Sequence, residues 1–185
     1  RPVMLLSIRR ILSPIIILLL SVMISGCPGK PDSMRTVEKQ SYIDARRGFT
    51  ISYPQPWTAY LVNPGIGPYA ENSVRWEIKP TDDSGADLTL TIVALRHYGF
   101  TTESVSAEVL QDFYPNLVTV ARKEVKLAGG KATLIDGHTP HRTIRSWVFD
   151  IDHQLFLIIC TAPPETFDRQ ANLFSEVAES FRALP

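Results

Sequence analysis

Cys27 is the residue whose neighbours prescribe a specific reaction. It follows Ile24, Ser25 and Gly26, an order of residues that looks like a bacterial lipobox, where the lipoprotein signal peptidase cuts before a cysteine. Only a cysteine suits the position, because its thiol is the nucleophile that takes a diacylglyceryl group. Two or more acyl chains give stable membrane binding, whereas one chain is marginal. We therefore expect lipid on Cys27, with Ile24, Ser25 and Gly26 as the recognition residues of the peptidase.

The segment before the cysteine has the order of a secretory signal. Arg9 and Arg10 precede the apolar run 15–24, which small residues follow. An apolar helix of ten residues spans only about 15 Å of a hydrocarbon core about 30 Å thick, so a membrane-crossing helix is disfavoured. We predict that residues 1–26 are a lipoprotein signal peptide. An ordinary signal peptide with a chance cysteine, and an uncleaved short anchor, are the alternatives.

These two observations predict a location. The protein is expected to be exported and lipid-anchored to a bacterial membrane, facing the periplasm or the exterior. Pro28 follows the cysteine in place of the aspartate associated with inner-membrane retention. In a double-membraned host this favours the outer membrane.

A second polar group, around two histidines, has residue types that bind metals. His138 and His141 lie near Asp136, with Asp150, Asp152 and His153 further along the chain. Imidazole and carboxylate are usual ligands of zinc. Gly137 and Pro140 indicate a loop, however, where histidine and aspartate are common as soluble turn residues. We predict an exposed loop and no bound metal, and keep His138 and His141 as the alternative metal ligands.

Motifs of other active sites are not found in the sequence. It has no Gly-x-Ser-x-Gly elbow, no Ser-x-x-Lys and no Walker or Gly-x-Gly-x-x-Gly loop, so neither a hydrolase nor a nucleotide cofactor is indicated. Cys160 lies in an apolar run, where burial would raise the pKa of its thiol. We expect no catalytic residue and no cofactor.

Residues 63–72 form a long connection rich in glycine and proline. Loops of this length in compact domains are either binding loops or plain surface connections. If the loop binds a partner, Ile66 and Tyr69 are the expected contact residues.

Composition limits the size and the partners of the protein. The chain has 185 residues, 44% of them hydrophobic and 21% charged, which is typical of a globular protein with space for one domain behind the signal. Lysine plus arginine and aspartate plus glutamate both number 19, so nucleic acid is not an expected partner.

Periodicity predicts the elements that follow the cysteine. We expect an acylated cysteine and flexible tether at 27–41 and one globular domain at 42–185. Apolar alternation predicts strands at 49–53, 74–79 and 88–95, then an antiparallel meander at 118–127, 131–135, 143–151 and 155–161. Helical spacing predicts a helix at 103–114, capped by Thr102, and a final helix opened by Pro163 and Pro164. The run 155–159 is apolar throughout, which predicts a central strand that is covered on both faces.

One order of motifs resembles a known family. Gly48-Phe49-Thr50-Ile51-Ser52-Tyr53-Pro54, then Trp57, a strand meander and a closing helix that ends in Ser180-Phe181 together resemble the PsbP-like superfamily. That group includes an extrinsic subunit of photosystem II, a Ran-binding import factor and many small bacterial lipoproteins. The resemblance implies an α+β fold, an α/β/α sandwich with a central antiparallel sheet flanked by helices. It implies no catalytic residue.

The sequence therefore predicts a non-enzymatic, lipid-anchored envelope protein that is held at a membrane through Cys27. Its domain would bind another, unidentified envelope protein or act as a scaffold. A periplasmic metal or small-ligand binding protein is the alternative, and a hydrolase without a recognisable motif is the weaker one.

Overall fold

The computed structural model describes residues 38–55, 57–62, 73–80, 88–96 and 101–185. They belong to one compact unit, Val37–Pro185. This part of the chain is mostly β-sheet, with two helices. In chain order its elements are β1 (Lys39–Asp44), β2 (Phe49–Pro54), β3 (Trp57–Val62), β4 (Ser73–Pro80), β5 (Thr89–Arg96), α1 (Thr102–Phe113), β6 (Val118–Leu127), β7 (Gly130–His138), β8 (Thr143–Ile151), β9 (Gln154–Ala162), α2 (Pro164–Ser180) and β10 (Arg182–Ala183).

Seven strands form an antiparallel sheet in the order β3-β4-β5-β9-β8-β7-β6. The predicted meander is confirmed, since β6 pairs with β7, β7 with β8 and β8 with β9. Asp152 and His153 both adopt positive φ angles, 50° and 64°, as a tight two-residue hairpin requires. Strand β9 lies between β5 and β8 and is buried from Leu155 onward, as its apolar sequence predicted.

Alternate residues of the central strand belong to two separate apolar clusters. Phe156, Ile158 and Cys160 belong to the first cluster, which also contains residues of α2. The intervening residues Leu155, Leu157 and Ile159 belong to the second cluster, together with residues of α1. Successive side chains of a strand point to opposite faces of a sheet. The residues contributed by the helices are Phe167, Phe174, Val177 and Ala178 from α2, and Val109 and Leu110 from α1.

A second, three-stranded sheet has the order β1-β2-β10. Strand β1 begins at Lys39, three residues before the predicted start of the domain, and so includes residues expected in the tether. Sequence periodicity did not reveal this strand because none of its residues is fully buried and most are polar. Its backbone is held instead by a ladder with β2, from Lys39 opposite Pro54 to Asp44 opposite Phe49.

Phe181 lies at the centre of an aromatic cluster where α2 meets both sheets. Its ring centroid lies 4.5 Å from that of Phe149, 5.1 Å from Phe156 and 6.2 Å from Phe49. The β6–β7 turn approaches so closely that a Cβ added to Gly129 would lie 2.6 Å from the carbonyl oxygen of Phe181. Only glycine fits at that position.

Three further expectations differ from the structure. Strand β7 continues to His138, so Asp136 and His138 lie in a strand and not in a loop. The cap of α1 is Thr101 instead of Thr102, and its hydroxyl accepts a hydrogen bond from the Ser104 amide at 3.2 Å. Strand β3 was not predicted, although Trp57 and Ala59 pack into the first cluster from it.

Candidate functional site

The predicted lipidation site and partner loop lie outside the residues that the structure describes. This applies to Ile24, Ser25, Gly26 and Cys27, and to Ile66 and Tyr69. The structure does describe the strands that flank the loop, since β3 ends at Val62 and β4 begins at Ser73. The loop therefore connects the end strand of the large sheet to its neighbour. No helix in the described part of the chain is long and apolar enough to cross a bilayer.

Asp136, the carboxylate nearest in sequence to the alternative metal ligands His138 and His141, is engaged in an ion pair across two strands. Asp136 of β7 lies opposite Arg145 of β8, and its Oδ1 accepts a hydrogen bond from Arg145 Nε at 2.6 Å. A second bond joins Arg145 Nη2 to Asp136 Oδ2 at 3.3 Å. The same guanidinium lies 5.6 Å from the ring centroid of Phe167. Both carboxylate oxygens of Asp136 therefore already accept hydrogen bonds from one guanidinium.

The histidines and the other carboxylates do not converge with it. His138 and His141 are both exposed. Asp150 accepts a hydrogen bond from the Thr102 hydroxyl at the start of α1. Across the described ranges, no three histidine, cysteine, aspartate or glutamate side chains are grouped as a metal site requires.

Cys160 is a free thiol in the core, as the apolar strand predicted. It is fully buried, and this burial raises its pKa well above the ordinary value, while Arg145 has a smaller opposing effect. A thiol that stays protonated is a poor nucleophile.

The two end strands of the seven-stranded sheet, β3 and β6, differ in charge and in regularity. Strand β3 has no charged residue, and Tyr60 and Leu61 are 53% and 65% exposed. Strand β6 exposes Val118 and Val120 but carries Arg122, Lys123, Glu124 and Lys126, and its register shifts between Thr119 and Ala121. Charges and bulges are the usual protection of an edge strand against pairing with another chain. Strand β3 lacks both.

A polar cleft opens on the face of the sheet that α1 packs against, at the C-terminal end of that helix. It has a volume of about 190 Å³. Its lining comes from β4, β5, the end of α1, the β7–β8 turn and β9, and consists of Glu77, Lys79, Thr89, Thr91, Phe113, Tyr114, Arg142 and Thr161.

Register explains why these residues share one face. Thr89 lies opposite Thr161, and Thr91 lies opposite both Glu77 and Ile159. Thr91 and Thr161 are almost fully buried. Sequence analysis missed this cleft, although threonines at alternate positions of β5, just before apolar Val93 and Leu95, were a usable signal.

The charged groups of the cleft are already oriented by contacts. Lys79 Nζ lies 2.7 Å from Glu77 Oε2, and Arg142 Nη1 donates to Thr161 Oγ1 at 3.2 Å. The lining contains three threonines, one tyrosine and one Glu–Lys ion pair, and no serine, cysteine or histidine.

A more open groove runs along α2, where its polar face meets β1. Lys39 Nζ lies 2.7 Å from Glu176 Oε2 there, and both side chains are about half exposed. Exposed ion pairs of this kind contribute little free energy.

Comparison with known proteins identifies the fold. No family model matches the sequence, and no curated protein matches it significantly. Among solved structures, cyanobacterial PsbP (CyanoP) from Synechocystis sp. PCC 6803 superposes with a TM-score of 0.60 at 16% identity, covering 85% of this chain and 99% of that chain.

Two other structures superpose at lower scores. The Ran-binding protein Mog1p of Saccharomyces cerevisiae has a TM-score of 0.54 at 9% identity, covering 80% of this chain and 97% of that one. A Bacteroides thetaiotaomicron protein has a TM-score of 0.53 at 14% identity, covering 79% of this chain and 48% of that one. At such identities the likeness shows the fold alone. The domain has the PsbP-like fold that its sequence motifs indicated.

Proposed function

We propose that this protein is a non-enzymatic, lipid-anchored module of the bacterial envelope that binds another envelope protein through β3 and the loop that follows it. The observation that carries the binding surface is the uncharged end strand β3, with Tyr60 and Leu61 exposed. The anchor rests on Ile24, Ser25, Gly26 and Cys27 of the sequence. The domain is an α/β/α sandwich in which α1 and α2 cover opposite faces of the large sheet, consistent with their separate apolar clusters.

The anchor and the domain are joined by a short segment. Residues 1–26 are the signal peptide, and the first strand begins at Lys39, 12 positions after Cys27. A chain of this length reaches at most about 40 Å when fully extended. The domain consequently works close to a membrane, the outer one in a double-membraned host, and its partner must be accessible within that distance.

The partner surface combines a described strand with the predicted loop. Beyond Trp57, whose carbonyl oxygen accepts a hydrogen bond from Gln40 Nε2, an end strand such as β3 can offer backbone N–H and C=O groups to another chain. Ile66 and Tyr69 are expected at the same end of the sheet, because their loop directly follows β3. Strand pairing would provide affinity, and the apolar side chains would provide specificity.

Substitution of the acylated cysteine tests the anchor. Cells expressing the full chain are labelled with an alkyne analogue of palmitate and fractionated. We expect Cys27→Ser to lose the label and to leave the membrane pellet, whereas Cys160→Ser, which alters a buried thiol, keeps the label. A Cys27→Ser variant that still carries label and sediments completely would contradict the anchor.

Photo-crosslinking tests the partner surface. A photoreactive amino acid is placed at Leu61, at Ile66 and, as a control, at exposed Val118 on the opposite end strand. We expect Leu61 and Ile66 to yield adducts with the same envelope protein, identified by mass spectrometry, and Val118 to yield none with it. Adducts with a second copy of this chain, or no shared adduct, would show the proposed partner to be wrong.

A further inference from the structure

The polar cleft has the properties of a built cavity and not of an ordinary patch of surface. On the same sheet face, Val93, Leu95 and Leu157 form an apolar core beneath α1. Beyond the end of the helix, the equivalent positions are occupied by Thr89, Thr91 and Thr161. Thr91 is 2% exposed and Thr161 is 1% exposed. Burying hydroxyl groups is unfavourable unless they have polar partners, so threonines at these positions need an explanation beyond solubility.

The cleft favours an anionic group at one end. Its lining holds two cationic side chains, Lys79 and Arg142, and one carboxylate, Glu77. Glu77 lies 2.7 Å from Lys79, and Glu77 and Arg142 both make further contacts, but two cations and one carboxylate still leave the lining with one excess positive charge. The guanidinium of Arg142 lies 3.2 Å from the Thr161 hydroxyl, within one wall of the cleft. A planar guanidinium beside a hydroxyl matches the two oxygens of a carboxylate.

The other wall of the cleft is aromatic. Phe113 and Tyr114 lie at the end of α1 with their ring centroids 6.1 Å apart, and both line the cleft. The methyl groups of the threonines add further apolar surface. At about 190 Å³ the cleft is smaller than the 300–1,000 Å³ typical of sites for drug-sized molecules. A ligand must therefore be small, with an acidic group and a short apolar body.

We infer that this cleft binds a small organic carboxylate, with its carboxylate on Arg142 and Thr161 and its apolar body against Phe113 and Tyr114. The site uses residues of β4, β5, α1, the β7–β8 turn and β9, and it depends on neither Cys27 nor the partner surface on β3. Loss of ligand binding and loss of membrane or partner binding are therefore separate results.

The position of Arg142 beside the end of α1 has one explanation that needs no ligand. The C-terminal end of a helix carries partial negative charge, which nearby cations stabilise. If Arg142 only stabilises the end of α1, the unsubstituted protein binds no benzoate, and substitution of Arg142 lowers the free energy of unfolding and nothing else. The experiment separates these roles by measuring binding and stability together.

Benzoate is a suitable probe, because it joins a carboxylate to one aromatic ring. Binding to the full chain carrying Cys27→Ser is followed by protein NMR and calorimetry. We expect saturable binding that shifts the amide signals of Thr91, Arg142 and Thr161. Benzyl alcohol, which has the ring without the charge, and inorganic phosphate, which has the charge without the ring, are expected to bind at least tenfold more weakly.

Two cleft variants and one control assign the site. Arg142→Gln is expected to weaken benzoate binding at least tenfold, and Thr161→Val, which keeps the shape of the side chain, several-fold. Arg169→Gln removes an exposed arginine of α2 and should change nothing. Failure of benzoate to bind, equal binding of phosphate, or unchanged affinity in Thr161→Val would each overturn the inference, and Thr161→Val decides it even if Arg142→Gln fails to fold.

Discussion

The hydroxyl of Ser180 takes the place of a strand residue opposite Ser52. Its Oγ accepts a hydrogen bond from the Ser52 amide at 2.8 Å, and its single proton faces two carbonyl oxygens, that of Val177 at 2.6 Å and that of Ser52 at 3.1 Å. Strand β10 has only two residues, and its Arg182 and Ala183 pair with Thr50 and Phe49 of β2. Continued by two residues, the same register would place Ser180 opposite Ser52. One side chain thus extends the ladder of the small sheet into the end of α2.

Replacement of this serine is expected to destabilise the domain. Ser180→Ala leaves the partly buried Ser52 amide without its acceptor, which costs about 1–3 kcal/mol. Urea unfolding followed by circular dichroism measures the free energy of unfolding. Ser175→Ala is the matched control, because the Ser175 hydroxyl donates back to the Ala171 carbonyl within the same helix, at 2.9 Å, and its loss should change stability by less than about 0.5 kcal/mol. Equal losses in both variants would contradict this account.

A buried serine of β8 is expected to behave in the opposite way. Ser146 is fully buried, and its Oγ has no hydrogen-bond partner among the described residues. Because an unsatisfied buried hydroxyl is unfavourable, Ser146→Ala should leave the free energy of unfolding unchanged or raise it by up to about 1 kcal/mol. Thr161→Val removes an equally buried hydroxyl that does have a partner, Arg142, and should lower it by about 1 kcal/mol. Destabilisation by Ser146→Ala comparable to that by Thr161→Val would show that its hydroxyl is satisfied.

Burial of Cys160 predicts a dependence of stability on alkaline pH. Its folded-state pKa is raised well above the ordinary value of 9.0, so the folded protein keeps the proton after the unfolded chain has lost it. This contribution to stability is complete below pH 9 and decreases as the pH rises above that value, by at most about 1.4 kcal/mol per pH unit.

Comparison with Cys160→Ala isolates that effect, with Cys27→Ser present in both proteins. Other groups that titrate at alkaline pH contribute equally to both and cancel in the difference. We expect the stability advantage of the protein that retains Cys160 to shrink between pH 8 and pH 10 in urea unfolding. Parallel curves over this range would contradict a raised pKa.

Zinc titration tests the metal-binding alternative. His138 and His141 are exposed, and Asp136 is engaged by Arg145 at 2.6 Å, so no preformed set of ligands is present there. Calorimetry of the full chain with zinc should give no stoichiometric heat, and His138→Ala and His141→Ala should behave identically. Stoichiometric heat that either substitution abolishes would restore this alternative.

Sequence reasoning predicted the elements whose burial follows a simple period. The meander β6–β9 could be predicted because β9 is apolar at nearly every position and its turns carry glycine or turn-forming residues. Strand β1 could not, because its polar residues are held by backbone pairing with β2. Strand β10 has two residues, too few for any period, and exists because α2 ends beside β2.

The full lining of the cleft could not be predicted from the sequence, although the alternate threonines of β5 gave a partial signal. Glu77 and Thr161 both line it, although 84 positions separate them in the chain. Only the strand order, which places β9 beside β5 and β5 beside β4, brings them together. The histidines show the converse. Asp136 and His138 are near one another in sequence and both lie in β7, yet Asp136 is bonded to Arg145 and His138 is exposed.

The strand order of the small sheet determines how the domain resists a pulling force and where its C-terminus emerges. Strands β1 and β10, the first and last of the described chain, flank the same strand, β2. A force applied at Lys39 along the axis of β1 would shear six residue pairs at once, Lys39–Pro54 to Asp44–Phe49, a geometry that resists force better than unzipping. A fluorescent label fused after Pro185 would leave the fold at the Phe49 end of β2, where Ala183 pairs, whereas Lys39 lies at the Pro54 end, so such a label would not crowd the segment that leads to residue 27.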